Sequence, residues 1–182
     1  MQSIVPLPEP VIRQIHQMLV PIRLPKNFRI LEAPKVSDHV YFINSGSAMS
    51  FTFDEGKKQV EWLWKSGQLI ISPKSFFERV PSHEFLQLLD DAELLCMSYE
   101  NVSFLLNEFP QIRIAHQVIM TKYYQQCRQR LRDMQRLTAR ERYEKLVSSF
   151  PRIGQLLPQE QIASYLGITP QSLSRIKRES RF

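Results

Sequence analysis

The sequence predicts an α+β fold: an N-terminal antiparallel β-module, one long helix, and a small all-helical domain at the C-terminus. Three observations predict it. Short runs rich in aromatic and β-branched residues recur between about Phe28 and Met97, divided by tight-turn signals. The stretch after Pro110 runs to Arg136 without an interior Gly or Pro and repeats apolar residues at helical spacing. The last thirty residues hold two short helical patterns joined at a glycine.

Taken in order, Val11, Ile12, Ile15, Met18 and Leu19 sit at helical spacing behind Pro10, and Pro21 is expected to end that helix. Strands are expected at Val40–Ile43, Met49–Phe53, Val60–Trp64, Leu69–Ile71 and Leu94–Met97. The turns between them read Asn44-Ser45-Gly46, Asp54-Glu55-Gly56-Lys57 and Lys65-Ser66-Gly67. Met49 to Phe53 alternates apolar and small polar residues, as a half-buried strand does. Such repeated short strands make an antiparallel sandwich or barrel. Asp90-Asp91 reads as a turn, and residues 99–109 as a short helix.

On the 110–136 helix, Ile112, Ala115, Ile119, Tyr123, Cys127, Leu131 and Met134 form one stripe. Ile114, Val118 and Tyr124 lie on a second side. One small β-module covers one side, so a second copy of the chain is the expected cover for the other, making a homodimer. Thr138-Ala-Arg-Glu141 is a capping box that opens a further helix from Ala139 to about Ser149, closed by Pro151 and Gly154. Thr138 therefore marks an expected boundary.

Charge follows the same division. Residues 1–121 hold 11 Lys+Arg against 13 Asp+Glu, whereas residues 122–182 hold 13 against 5, within a chain of net charge +6. A near-neutral body with a basic final third points that third toward a polyanion. No apolar run approaches the roughly 20 residues of a membrane span, and Met1–Pro10 has neither a basic start nor an apolar core, so a cytoplasmic protein without a membrane partner is expected. Cys96 and Cys127 have no C-x-x-C spacing. Paired carboxylates at a useful spacing, a phosphate-cradling glycine loop, a nucleophile elbow and metal-ligand spacing are all missing, which argues against an enzyme.

The most specific segment runs from Leu157 to Phe182. Pro158 can open a helix that ends at Leu166. Gly167 supplies the backbone freedom of a tight turn, and Thr169 and Pro170 suit the N-cap and first position of a second helix. Ala163 is small where the two helices cross, and Ile162, Leu166, Ile168, Leu173 and Ile176 converge. This is a helix-turn-helix, whose second helix enters the major groove of double-stranded DNA. Its outer side carries Gln171, Ser172, Ser174, Arg175 and Arg178. Arg can pair with guanine and Gln with adenine. Thr169, Lys177 and Arg181 are better placed to hold phosphates.

In this order of parts, and above all in Ile162-Ala-Ser-Tyr-Leu-Gly-Ile-Thr-Pro-Gln-Ser-Leu-Ser-Arg-Ile176, the chain resembles the Crp/Fnr family of bacterial transcriptional regulators over nearly its whole length. Tyr41-Phe-Ile-Asn-Ser-Gly46 resembles an early strand and turn of that family's cyclic-nucleotide-binding β-roll, a jelly-roll type of double-stranded β-helix. The resemblance implies three parts: a β-roll sensor with flanking helices (1–109), a long dimerisation helix (110–137), and a helix-turn-helix DNA-binding domain (138–182). It also implies Gln171, Ser174 and Arg175 as base readers, an inverted-repeat site, and RNA polymerase as a partner.

The departures are equally informative. Family members that bind cyclic nucleotides carry a Phe-Gly-Glu stretch followed by Arg-Ser or Arg-Thr. The corresponding Ile71-Ser-Pro-Lys-Ser-Phe-Phe-Glu-Arg-Val-Pro-Ser-His83 has no Gly, and its cations, Lys74 and Arg79, read as solvated. No response to cAMP is therefore expected, and no cofactor; a different small-molecule effector stays open. No N-terminal cysteine cluster exists for an iron–sulfur sensor, and His16, His39, His83 and His116 read as structural or solvated rather than haem ligands. Trp62, Trp64, Tyr41 and Phe51 read as core filling. About eight residues separate Phe150 from the motif, too few for the family's usual β-hairpin, and Phe182 follows the second helix directly. So small a domain is expected to lean on the long helix or on the partner subunit.

Overall fold

Alternating strands closed by tight turns build two facing antiparallel sheets. The computed structural model describes residues 6–179. Helix α1 (Glu9–Met18) leads into β1 (Val20–Leu24), and β2 (Arg29–Leu31), β3 (His39–Ser45), β4 (Ser47–Asp54), β5 (Lys57–Lys65) and β6 (Leu69–Ile70) follow. After the short α2 (Pro73–Glu78) come β7 (Phe85–Leu88) and β8 (Ala92–Ser98). One sheet has the order β1-β8-β3-β6 and the other β2-β7-β4-β5, with every pairing antiparallel. The five expected strands are present. β1, β2 and β7 go beyond the sequence pattern, and Pro21 lies inside β1 instead of merely ending a helix. β1 is an edge strand, where a missing N–H is tolerated.

The β4–β5 hairpin is the part of the β-module that reaches the C-terminal helices. Its two-residue loop, Glu55-Gly56, has positive φ at both positions (48° and 78°), the geometry that matches strand twist in a tight hairpin. Between Ser50 and Phe51 the register slips by one residue, so that Phe51 faces Val60. Such a bulge bends the hairpin and re-aims its side chains. At the next turn Asp90 accepts from the Ser47 amide at 2.6 Å and from its hydroxyl at 3.0 Å, while Asp91 accepts from the Lys26 amide at 2.8 Å. The acidic pair thus binds turns together.

Helix α3 (Tyr99–Glu108) is capped by Ser98, and α4 (Pro110–Arg136) comes directly after it. The first half of α4 lies on the β-module: Ile112 packs into the cluster of Val40, Ile71, Phe76, Met97 and Leu105, and Tyr123 meets the Trp62 ring at 5.5 Å between centroids. The expected single stripe does not stay together. Leu131 is 58% exposed and joins Tyr124, at 61%, on an uncovered side. From Ala115 to Leu131 the stripe advances by four residues at every step, each overshooting the 3.6-residue turn by roughly 40°, so its later members swing round to a different side of the helix.

Helix α5 (Ala139–Ser149) begins with the predicted capping box, the Thr138 hydroxyl accepting from the Glu141 amide and the Glu141 carboxylate from the Thr138 amide. The short α6 (Ile153–Leu156) fills the place where no hairpin fits, and α7 (Gln159–Leu166) and α8 (Pro170–Glu179) complete the described chain. The largest core joins the β-module to the C-terminal helices. Met49, Phe51, Val60 and Leu63 of the hairpin share it with Leu146, Ile153, Leu157, Ile162, Ala163, Leu166 and Leu173.

Candidate nucleic-acid interface

The α7–α8 pair is fixed first by its apolar residues. Ile162, Ala163, Leu166 and Leu173 are at most 3% exposed, and Ile176 is buried beside them. Ala163, fully enclosed at the crossing, keeps the two helices close. Gly167 ends α7 in the left-handed region with φ 65°, and a Cβ there would stand 2.5 Å from Met134 Cε. Only glycine meets both demands without a shift. Three residues later α8 starts as expected, with the Ser172 amide donating to Thr169 Oγ1 at 3.1 Å.

With Leu173 and Ile176 turned inward, helical geometry puts Gln171, Ser174, Arg175 and Arg178 together on the opposite face, and all four are exposed. Among the described residues neither arginine has an acidic partner within ion-pair distance. Ser174 Oγ takes a short hydrogen bond from Gln159 Nε2, which also donates to the Pro170 carbonyl at 2.9 Å. Gln159 thereby steadies the start of α8 and one polar group of its outer face. Ser172 and Lys177 flank that face and are half-buried; Thr169 is exposed at the turn. Arg181 lies outside the described residues.

Not every cation of the basic third serves this surface. Arg130 of α4 donates to the Tyr165 carbonyl at 2.9 Å, and its guanidinium lies 3.9 Å from the centre of the Tyr165 ring. Arg142 of α5 donates to the Leu166 carbonyl at 3.1 Å and to the Leu137 carbonyl at 2.6 Å. These carbonyls end α7 and α4, where the helix leaves acceptors unpaired and favours positive charge. These two cations therefore hold the motif together from beneath.

The motif leans mainly on the β-module, which the sequence did not disclose. Ser164 Oγ accepts from the Val60 amide at 3.0 Å and donates to Gln59 Oε1 at 2.8 Å, tying α7 to β5. The long helix contributes Arg130 and the Met134–Gly167 contact. The hint in the sequence was the polar Ser164 next to the buried Ala163, which has no meaning until its strand partner is known.

No protein-family model matches the sequence, and no curated protein matches it. Solved structures do. A crp/fnr-type transcriptional regulator structure from Eubacterium rectale superposes with a TM-score of 0.75 at 13% identity, covering 96% of this chain and 84% of that one. The c-di-GMP-responsive global regulator CLP of Xanthomonas campestris gives 0.72 at 15%, covering 96% and 92%. FixK2 from Bradyrhizobium japonicum gives 0.72 at 16%, covering 88% and 83%. The chain shares their fold. At these identities the likeness is one of architecture over nearly the whole chain.

The α2 end of the β-module has its own chemistry. Arg79 is not solvated as expected. It adopts a left-handed conformation at the end of α2, donates to the Ser37 carbonyl at 2.6 Å, pairs with Asp38 and lies 4.1 Å from the Tyr99 ring centre. Between α2 and β7, Glu84 accepts from Ser72 Oγ at 2.6 Å, and burial pushes its carboxyl above the ordinary range. Lys74 is exposed. Phe51 and Trp64 are core, whereas Tyr41 and Trp62 are only partly buried. No helix among the described residues is long and apolar enough to cross a membrane, and no group of three His, Cys, Asp or Glu among them is placed to hold a metal.

Proposed function

We propose that this protein is a Crp/Fnr-type transcriptional regulator that binds an inverted-repeat DNA site as a homodimer. The observation that carries the reading is α8: Leu173 and Ile176 fix it, and Gln171, Ser174, Arg175 and Arg178 stand exposed on one face. In this reading Gln171, Ser174 and Arg175 read base edges with Ser172 and Arg178, while Thr169, Lys177 and Arg181 hold phosphates. Residues 1–109 sense, 110–137 pair the subunits and 138–182 bind DNA. RNA polymerase is the onward partner, the cytoplasm is the site of action, and no catalytic step is involved.

Dimerisation is supported by α4, which buries none of its 27 residues. Met120, Tyr124, Cys127, Leu131 and Met134 repeat at alternating steps of four and three, the spacing of a coiled-coil seam, and Tyr124 and Leu131 are more than half exposed. Pairing two copies along this seam sets two recognition helices about 34 Å apart, one turn of DNA. Insensitivity to cAMP is supported by the half-buried Glu84 carboxyl, held by Ser72, and by Arg79, whose guanidinium is already committed. A cyclic phosphate needs a cation and free amides around it.

Selection of bound sequences from random duplex DNA by the purified chain, without added ligand, tests the reading. Recovery of an inverted repeat is the expected result. Recovery of unrelated sequences, or of a single half-site by a monomer, would overturn it.

A further inference from the structure

We propose that an effector site for small aromatic carboxylates lies where the β-module, the long helix and the helix-turn-helix meet. A cleft of about 220 Å³ opens there. For scale, an engineered cavity of about 150 Å³ takes benzene. Its walls come from four separate elements. Trp62 of β5, Phe150 after α5 and Tyr165 of α7 give it aromatic surface, and Leu146 and Leu166 continue that surface inward.

Charge at the rim selects the ligand. Arg130, Arg142 and Lys145 line the cleft against a single carboxylate, Asp133, which Lys145 already pairs. Arg142 uses Nε and one terminal nitrogen on carbonyls, and among the described residues no partner engages its other terminal nitrogen. A flat apolar ring with one negative end matches such a site: the ring meets the aromatic walls and the carboxylate meets the surplus positive charge. A neutral ring would lose the second contact, and an amine would meet the wrong sign.

The position makes the site regulatory. The cleft opens beside Gln126, Gln129 and Asp133 of α4 and meets the seam only at its last position, Met134; Tyr124 and Leu131 lie across the helix, so pairing there leaves the mouth of the cleft open. Because its walls belong to parts that must be docked to form them, a ligand there stabilises the docked arrangement of α7 on β5 over any arrangement in which they part. That consequence rests on the DNA-binding reading above; the binding itself does not.

Calorimetric titration of the full chain, free of DNA, with benzoate and 1-naphthoate tests this, with benzamide as the uncharged counterpart. Saturable binding of the carboxylates is expected, with benzamide at least about tenfold weaker. Ser149→Phe, at an exposed rim position, should fill the cleft and abolish the heat while leaving the circular dichroism unchanged. Lys145→Glu, which alters no core residue, should weaken binding by about tenfold or more and keeps the test valid if the phenylalanine variant does not fold. No saturable heat at millimolar ligand, equal affinity for benzamide, or undiminished binding by both variants would overturn the inference. A chain that binds benzoate yet selects no DNA refutes only the regulator reading; a chain that selects an inverted repeat yet takes no carboxylate refutes only this one.

Discussion

Helix α4 spans 27 residues and buries none of them, whereas α8 spans 10 and buries two. The longer helix distributes its apolar residues around the axis, so one side is half covered and the side of Tyr124 and Leu131 stays open. The shorter one concentrates Leu173 and Ile176 on one side and leaves the other entirely polar. Anchoring therefore depends on convergence and not on the number of apolar residues. A helix of the first kind has a side free for another subunit, and one of the second kind has a side free for a ligand as polar as DNA.

The contrast is broken most directly in the core. Leu173→Ala should cost about 2–5 kcal/mol of stability in urea unfolding, because a fully enclosed side chain leaves a cavity. A comparable truncation at half-buried Ile112 should cost less. If the two are equal, the difference between the helices has been misread. Next in size is the seam. The pair Tyr124→Asp and Leu131→Asp should leave circular dichroism intact and shift sedimentation from dimer to monomer; a dimer that persists would place the subunit contact elsewhere.

The outer face of α8 comes third. Arg175→Ala should weaken DNA binding by about 1–3 kcal/mol and relax preference at one base position, while Arg181→Ala should weaken all sequences alike and lower the salt slope by about one. Identical behaviour of the two would remove the base-reading role. The smallest effect sharpens the picture of docking. Ser164→Ala removes both hydrogen bonds to β5 and should cost about 1 kcal/mol, visible as faster amide exchange at Val60 in the folded chain. Unchanged exchange would mean that apolar packing alone holds α7 to the hairpin.

Much of this was legible in the sequence because local chemistry was decisive. Gly167, Thr169 and Pro170 can do little else in that order, and Thr138 with Glu141 announces its helix. β7 escaped because Leu86, Gln87 and Leu88 are all buried, so no alternation marks the strand. β1 escaped because an edge strand can hold Pro21. In the site, the exposed face of α8 follows from periodicity, but Gln159 bonding to Ser174, Arg142 supporting α7 and Ser164 meeting Gln59 join positions up to 105 residues apart. Such pairings depend on how the elements pack, and no local pattern encodes them.

The core shared by the β4–β5 hairpin and the last helices has a consequence for ancestry and for engineering. A C-terminal domain attached by a flexible tether can be exchanged like a cassette; this one cannot. Cutting the chain after α4 would strip the cover from Met49, Phe51, Val60 and Leu63 and leave the β-module with a sticky apolar face. Grafting these helices onto another β-module would require that face to travel with them. Substitutions on the hairpin and on α7 must therefore be accepted together, as the two halves of a single lineage.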